Sequence, residues 1–254
     1  MEIPQNVAVV LVPALNEESV VADTISEWQR LGFPLVRVID NASTDNTAAV
    51  ARAAGADVVH EPRRGYGAAA WTGLQGLPTA IEWVLFSSAD GSDALEATEL
   101  NSWIEAAETG AHLILGDRCS LPDSFAQLNP SQRYCSMVFH RVVHLGWGRR
   151  FTDVGSLRAL QLSRLSNLNL RDRGFGWNVE MQIRAVECGL KIVELPVRFL
   201  PRRGGDSKIS GNWKGTLRAT YQILRLLHQL WWTRRSRLGA EPATSPQPNS
   251  VSRK

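Results

Sequence analysis

The sequence predicts an α/β protein built on a mostly parallel sheet with helices on both faces. Three observations predict it. Short aliphatic runs alternate with amphipathic segments through the first 116 residues. The runs are continuously apolar rather than alternating, as in strands buried on both sides. Finally, 254 residues with 44% hydrophobic and 21% charged content suffice for one sizeable core with appendages.

The elements follow in order. Val7–Val12 is a buried strand. Val20, Val21, Ile25, Trp28 and Leu31 recur at helical spacing, with Asn16 and Glu17 placed to cap that helix. Val36–Ile39 is a second strand ending in Asp40. Asp45 or Ser43 can cap a short Ala-rich helix running to Ala54 and closed by Gly55. A strand at Val58–Val59, a helix from about Gly67 to Leu77 and a strand at Trp83–Phe86 follow, then a helix near Leu95–Glu108 and a strand at His112–Leu115. Residues 117–150 are rich in Arg, His and aromatics. Leu157–Leu160 reads as a strand, Asn178–Cys188 as a helix and Lys191–Phe199 as a strand interrupted by Pro196. Beyond Gly211 a last helix carries Leu217, Tyr221, Leu224, Leu227, Leu230 and Trp231 at spacings of three and four. From Gly239 a Pro-, Ser-, Asn- and Gln-rich stretch has the composition of a disordered tail.

Cys119, Cys135 and Cys188 are odd in number and lack CxxC spacing, which argues for a reducing compartment and against a disulfide framework or zinc site. Met1 is followed by Glu2, Pro4 and directly by a strand, so no signal peptide is expected. No apolar run reaches the 18 residues a spanning helix needs. The net charge of +3 conceals an asymmetry. Pro196–Leu238 holds ten Lys or Arg against Asp206 alone, +9, so the body up to residue 195 carries about −7 once the +1 of the tail is counted. A basic C-terminal segment on an acidic body suggests an anionic ligand or surface.

In parallel sheets ligands bind beyond the carboxyl ends of the strands. Three polar segments fall there: Pro13-Ala14-Leu15-Asn16-Glu17-Glu18, Asp40-Asn41-Ala42-Ser43-Thr44-Asp45-Asn46-Thr47, and Ser88-Ala89-Asp90-Gly91-Ser92-Asp93. A fourth is the basic, Gly-containing loop Pro201-Arg202-Arg203-Gly204-Gly205-Asp206-Ser207-Lys208-Ile209-Ser210-Gly211. Gly65-Tyr66-Gly67-Ala68-Ala69-Ala70 matches G-x-G-x-x-A, but in the third unit, whereas a dinucleotide fingerprint belongs at the first strand-to-helix turn.

Taken together and in this order, the four segments resemble glycosyltransferase family 2, and within it the dolichol-phosphate mannose synthase-like, polyprenyl-phosphate branch. The resemblance runs from about residue 6 to residue 228 and implies the GT-A fold, a Rossmann-like sheet with a C-terminal acceptor-side extension. It divides the chain into a nucleotide-sugar half (6–116), an acceptor-side half (117–211) and an amphipathic helix (212–238), together one domain over 1–238, with a tail at 239–254. It implies a nucleotide-sugar donor held by Pro13, Asn16, Glu17, Asp40, Asp45, Gly67 and Ala89, where the Asp40 carboxylate can accept from base or ribose.

The third segment resembles the family's Asp-x-Asp metal motif, and the resemblance implies Mg²⁺ or Mn²⁺ on Asp90, helped by Ser92 or Asp93. Ser88 stands where the first acid is usual, which lowers the expected metal affinity. Gly116-Asp117-Arg118 resembles the family's Gly-Ser-Arg element. The segments carrying Arg133, Asp153 and Glu180 resemble acceptor-side segments, with Asp90, Arg118, Asp153 and Glu180 as the catalytic set. Arg202, Ser207 and Lys208 form a lid able to bind phosphate oxygens.

The implied reaction is inverting transfer of glucose or mannose from a UDP- or GDP-sugar to a polyprenyl or dolichyl phosphate. A phosphate acceptor is already ionised and needs no strong base; a hydroxyl acceptor would need one, with Asp153 or Glu180 as candidates. The alternatives are such a hydroxyl-acceptor enzyme, a non-catalytic nucleotide-sugar-binding homologue because of Ser88, and a sugar nucleotidyltransferase, against which the lack of a Gly-rich loop after the first strand argues. Trp231-Trp232 followed by Arg234, Arg235 and Arg237 suggests a helix lying in the cytoplasmic membrane interface, or else one packed on the protein's own sheet. The expected partners are therefore donor, lipid phosphate and membrane surface, with no nucleic acid.

Overall fold

The computed structural model describes residues 7–128, 130–204 and 213–240. A series of βα units opens the chain: β1 (Ala8–Ala14), α1 (Val21–Arg30), β2 (Val36–Asp40), α2 (Thr47–Ala53), β3 (Asp57–His60), α3 (Tyr66–Gly73) and β4 (Trp83–Phe86). A short strand β5 (Asp93–Ala94), α4 (Ala97–Glu108) and β6 (Leu113–Asp117) follow. The second half consists of α5 (Pro122–Gln127), α6 (Pro130–Trp147), β7 (Arg158–Gln161), a 3₁₀ turn leading into α7 (Leu165–Leu168), α8 (Trp177–Glu187), β8 (Ile192–Pro196), β9 (Arg198–Phe199) and α9 (Trp213–Ala240).

Seven strands form one sheet in the order β3-β2-β1-β4-β7-β6-β8. All are parallel except β7, which runs antiparallel between β4 and β6. β5 and β9 make a separate antiparallel ribbon, Asp93 opposite Phe199 and Ala94 opposite Arg198. The sheet separates two cores. Val9 and Leu11 of β1 face α3, α6, α8 and α9, while Ala8, Val10 and Val12 face α1, α2 and α4. Successive side chains point to opposite faces and both faces are dry, which is why these strands show no polar alternation.

Several expectations are corrected. The side chains of Asn16 and Glu17 do not cap α1, whose N-cap is Val20: the Asn16 side chain turns to the neighbouring loop and the Glu17 carboxylate to Arg202, while the Glu17 carbonyl accepts from the Val20 and Val21 N–H groups. α3 stops at Gly73, short of Leu77. The Arg- and His-rich stretch 117–150 hides an 18-residue helix, α6, because Phe139, Val143 and Trp147 recur every four residues and are buried. In α9 the buried stripe is Leu226, Leu227 and Leu230, whereas Tyr221 and Leu224 face outward. Gly239 and Ala240 still belong to that helix; the rest of the expected tail lies outside the described residues.

The N-terminus of α3 packs on the loop before α8. The Gly67 N–H donates to Gly174 O at 3.0 Å and the Ala68 N–H to Arg173 O at 2.9 Å. A Cβ on Gly67 would lie 2.8 Å from the Arg173 carbonyl carbon and from Asp172 O. Backbone cannot yield as a side-chain tip can. Gly67→Ala is therefore expected to cost about 1–3 kcal/mol in urea unfolding. Gly146→Ala in α6, where the nearest neighbour is Trp231 Cδ1 at 3.6 Å, should be neutral or stabilise by up to about 1 kcal/mol. Equal midpoints for the two variants would contradict this packing.

Candidate active site

The strand order reverses between β1 and β4, and the loops leaving their carboxyl ends define a crevice there. Residues 15–20 leave β1 and 87–93 leave β4. The inverted β7 adds a third loop from the other direction: Arg158, at its start, sits opposite Phe86 of β4 and Leu115 of β6. Residues 153–157, which precede β7, thus arrive at the same end of the sheet.

The β1 and β2 loops are laced together. Asn16 adopts a left-handed conformation, φ 54°. Its N–H donates to Ser43 Oγ at 3.0 Å, and its Oδ1 accepts from the Thr44 N–H at 2.8 Å. The Glu17 N–H donates to Thr47 Oγ1 and the Glu18 N–H to Asp45 Oδ2. Pro13 sits opposite Ile39 in the β1–β2 ladder. Asp40 is buried, accepting from the Ser43 N–H at 3.2 Å, with His60 Nδ1 3.0 Å from its other oxygen. Asp45 accepts from the backbone and hydroxyl of Thr47; burial pushes its pKa up, but these bonds outweigh burial and hold it below the ordinary carboxylate value. Asn41, next to Asp40 in the second polar segment, donates to Glu61 O and Arg63 O and accepts from the Gly65 N–H, fixing the Gly-rich turn to β2.

The β4 loop presents Asp90. Its Oδ1 accepts from the N–H and the hydroxyl of Ser92, at 3.0 and 2.5 Å. Ser88 Oγ lies 3.2 Å from Ser92 Oγ. Ala89 is buried, and its carbonyl accepts from Thr24 Oγ1. Asp93 does not turn toward Asp90's outer oxygen. It is buried, accepting from the Ser88 N–H at 2.7 Å and from Ser156 Oγ at 2.9 Å. Burial and, after the opposing Ser88 bond, the nearby Asp90 charge push its pKa up. Of the two helpers expected for Asp90, only Ser92 is in place.

Arg202 joins these loops. One guanidinium nitrogen lies 3.0 Å from Asp90 Oδ2, another binds Glu17 Oε1, and Nε donates to Gly204 O at 2.8 Å. Ser207 and Lys208 lie outside the described residues.

Beside this cluster stands a buried ion pair. Arg118 Nε and one terminal nitrogen donate to the two oxygens of Asp153 at 2.6 and 2.9 Å, and the Arg118 N–H donates to the same carboxylate at 3.2 Å. Arg118 also stacks over Phe199, 4.8 Å from the ring centre. Burial disfavours the Asp153 charge, yet Arg118 outweighs it and holds the pKa below 3.8. Glu180, fully buried on α8, accepts from the N–H groups of Arg171 and Asp172 at 2.9 and 2.7 Å. It thereby holds the loop on which Gly67 packs. Arg133 donates to Ala126 O and stacks over Phe125, bracing α5. Arg158, invisible in the sequence as a core residue, is wholly buried, donates to Asn178 O and Gly155 O, and burial pushes its pKa down to about 10. Asp117, Cys119 and Asp153 present atoms within 4.8 Å of one another. Asp153 is already committed to Arg118 and Asp117 to the turn at Cys119 and Ser120, while burial raises the Cys119 thiol to about 12.

Residues 9–160 match the profile of Glycosyl transferase family 2. The chain belongs to that family. An uncharacterized glycosyltransferase of Mycobacterium tuberculosis is 33% identical over 218 residues, covering 86% of this chain and 96% of the relative. The undecaprenyl-phosphate mannosyltransferase of Micrococcus luteus is 32% identical over 216 residues, covering 80% and 87%. Glucosyl-3-phosphoglycerate synthase of M. tuberculosis, solved with Mn²⁺, UDP and phosphoglyceric acid, superposes with a TM-score of 0.70 at 19% identity over 89% of this chain and 78% of that one. The family 2 chain thus has the GT-A fold, and its mostly parallel sheet is the one the sequence predicts.

The Arg118–Asp153 pair ties the end of β6 to the loop before β7. A depressed carboxylate pKa means that this contribution is complete above pH 3.8 and is lost as pH falls through the lower folded value. Asp153→Asn should therefore cost about 3–5 kcal/mol at pH 7, where it leaves Arg118 buried without its charge partner. The gap to wild type should narrow as pH falls below 3.8. Denaturant titrations at both ends of that range check it, and a gap independent of pH would contradict the assignment.

Proposed function

We propose that this family 2 glycosyltransferase transfers glucose or mannose from a UDP- or GDP-sugar to a polyprenyl or dolichyl phosphate at a membrane surface, with inversion at the anomeric carbon. The observation that carries this reading is the state of the two acceptor-side carboxylates. Asp153 is bound through both oxygens by Arg118, while Glu180 gives one oxygen to two backbone N–H groups and turns the other toward Arg184 at 4.0 Å. Neither is placed to take a proton from a hydroxyl, and a lipid phosphate needs no such base. The likeness to the Micrococcus luteus enzyme, whose name states a lipid-phosphate acceptor, supports the same acceptor.

In this reading the lacing of residues 16–18 with 43–47 shapes the nucleotide pocket, with Asp40 and Asp45 holding its walls. Asp90, Ser92 and Ser88 fit a divalent ion. They offer hard oxygen ligands, and the outer oxygen of Asp90 already attracts a cationic group. Mg²⁺ or Mn²⁺ there would neutralise charge on the departing nucleoside diphosphate. Arg202 supplies positive charge beside the diphosphate, Asp153 orients Arg118, and Glu180 holds the turn at Arg171 and Asp172 on which Gly67 packs. Asp90→Ala is expected to lower transfer to a short polyprenyl phosphate roughly 100-fold or more, and the product's anomeric proton should show inverted configuration by NMR. Equal turnover in Asp90→Ala, or transfer only to hydroxyl acceptors, would sink the reading.

Membrane contact belongs to the same proposal. Among the described residues no helix is long and apolar enough to cross a membrane. Tyr221, Leu224, Trp231 and Trp232 on α9, and Tyr134, Met137 and Leu145 on α6, are large apolar side chains exposed on neighbouring helices. Interfacial Trp beside Arg favours anionic headgroups. Flotation with anionic vesicles at low salt should carry the protein upward, neutral vesicles or high salt much less. Protein remaining at the bottom with anionic vesicles would exclude the surface helix.

A further inference from the structure

The strap 198–204 is fastened to the donor half at three points. Arg198 pairs with Glu96 and Glu99, and Arg203 with Glu27. Between them Arg202 reaches both Asp90 and Glu17. Backbone bonds align the strap: the Leu200 N–H donates to Ser92 O at 2.9 Å and the Arg203 N–H to Asp90 O at 3.2 Å. At its end Gly204 is pressed onto the loop before α1, where a Cβ would lie 2.8 Å from Ser19 Oγ and Val20 Cγ1. The strap therefore crosses both strand-end loops of the crevice.

Glu17 and Asp90 come from the two strands at which the sheet order reverses, and the Glu17 side chain is only 7% exposed. Two carboxylates brought onto one shared group at low exposure are stable together only with a cation between them. One oxygen of Asp90 is occupied by Ser92; the other, where a divalent ion would bind, is held by Arg202.

We propose that, in the donor-free protein, the Arg202 guanidinium occupies the cation position of the donor site, so that Arg202 and a divalent ion compete for Asp90. The strap is then a latch: a cation on Asp90 expels the guanidinium by like-charge repulsion and frees it for an incoming diphosphate. Because Ser88 stands where a second acid would be, the competition bears on the one oxygen of Asp90 that Ser92 leaves free. The inference rests on the assignment of Asp90 to the metal.

The test is Mn²⁺ binding in the absence of nucleotide, read by the loss of the free-ion EPR signal. A latch that is closed most of the time lowers apparent affinity by the fraction of open protein. Arg202→Gln and Arg202→Ala, measured side by side so that a folding defect in one leaves the other, should therefore bind Mn²⁺ about 10-fold more tightly than wild type, even as transfer falls. The gain should vanish in the Arg202→Gln, Asp90→Ala double variant. Unchanged or weaker Mn²⁺ binding in both single variants would overturn the latch, leaving Arg202 as a phosphate contact or a structural tie. A gain that persists without Asp90 would overturn the shared position. If no variant, nor wild type, binds Mn²⁺ even with UDP added, the metal assignment itself falls.

Discussion

Because helices cover both faces of the seven-stranded sheet, its central strands β1 and β4 have almost no solvent face on which to place a polar side chain. Each position of β1 from Ala8 to Val12 belongs to one dry core or the other. The polar groups of the crevice come from the strand ends, and parallel order gathers those ends along one edge. The inversion of β7 adds to that edge without breaking the rule. A strand entering from the opposite direction delivers its preceding loop, so Asp153 and Ser156 meet Arg118 and Asp93 across the sheet. The site is a consequence of where burial forbids charge.

The parts legible in the sequence are those governed by local pattern. Buried strands announce themselves as continuous aliphatic runs, and Trp83–Phe86 was bounded to the residue. The polar loops after β1, β2 and β4 were identifiable because only loops tolerate such composition there. What the sequence hid is set by partners distant in the chain. The direction of β7 cannot be read from Leu157–Leu160, since both orientations bury the same face. Arg158 looks like a surface cation but is fully buried, because Gly155 and Asn178 offer it carbonyls at the right reach. Asp93 resembled a possible metal ligand until Ser156, 63 residues away, claimed both its oxygens. Glu180, a candidate base by resemblance, accepts from the N–H groups of Arg171 and Asp172, partners that its own segment does not announce.

Charge asymmetry was similarly ambiguous without coordinates. The basic C-terminal segment suggested an anionic partner, and part of that partner is the protein itself. Arg198, Arg202 and Arg203 meet Glu96, Glu99, Glu17, Asp90 and Glu27, all within the first 100 residues. The exposed pairs contribute little to stability, since solvent screens them. Their value is registration: the ties of Arg198 and Arg203 flank the less exposed contacts of Arg202 and set the strap across the crevice. A stronger, apolar attachment would close the site permanently.

The last helix shows why the two sequence readings of its apolar stripe are not exclusive. At 3.6 residues per turn, 28 residues give α9 nearly eight turns, enough for two apolar faces. Leu226, Leu227 and Leu230 complete the core beside α6 and α8, and Arg234 reaches the Gly146 carbonyl and the Trp147 ring at the end of α6. The helix is therefore anchored to the body before any membrane is considered. Tyr221, Leu224, Trp231 and Trp232 are left on the outside, at positions burial in the core cannot explain. A helix fixed on one side and apolar on the other adds no ordering cost when it meets a lipid surface, because its conformation has already been set by packing on its own protein.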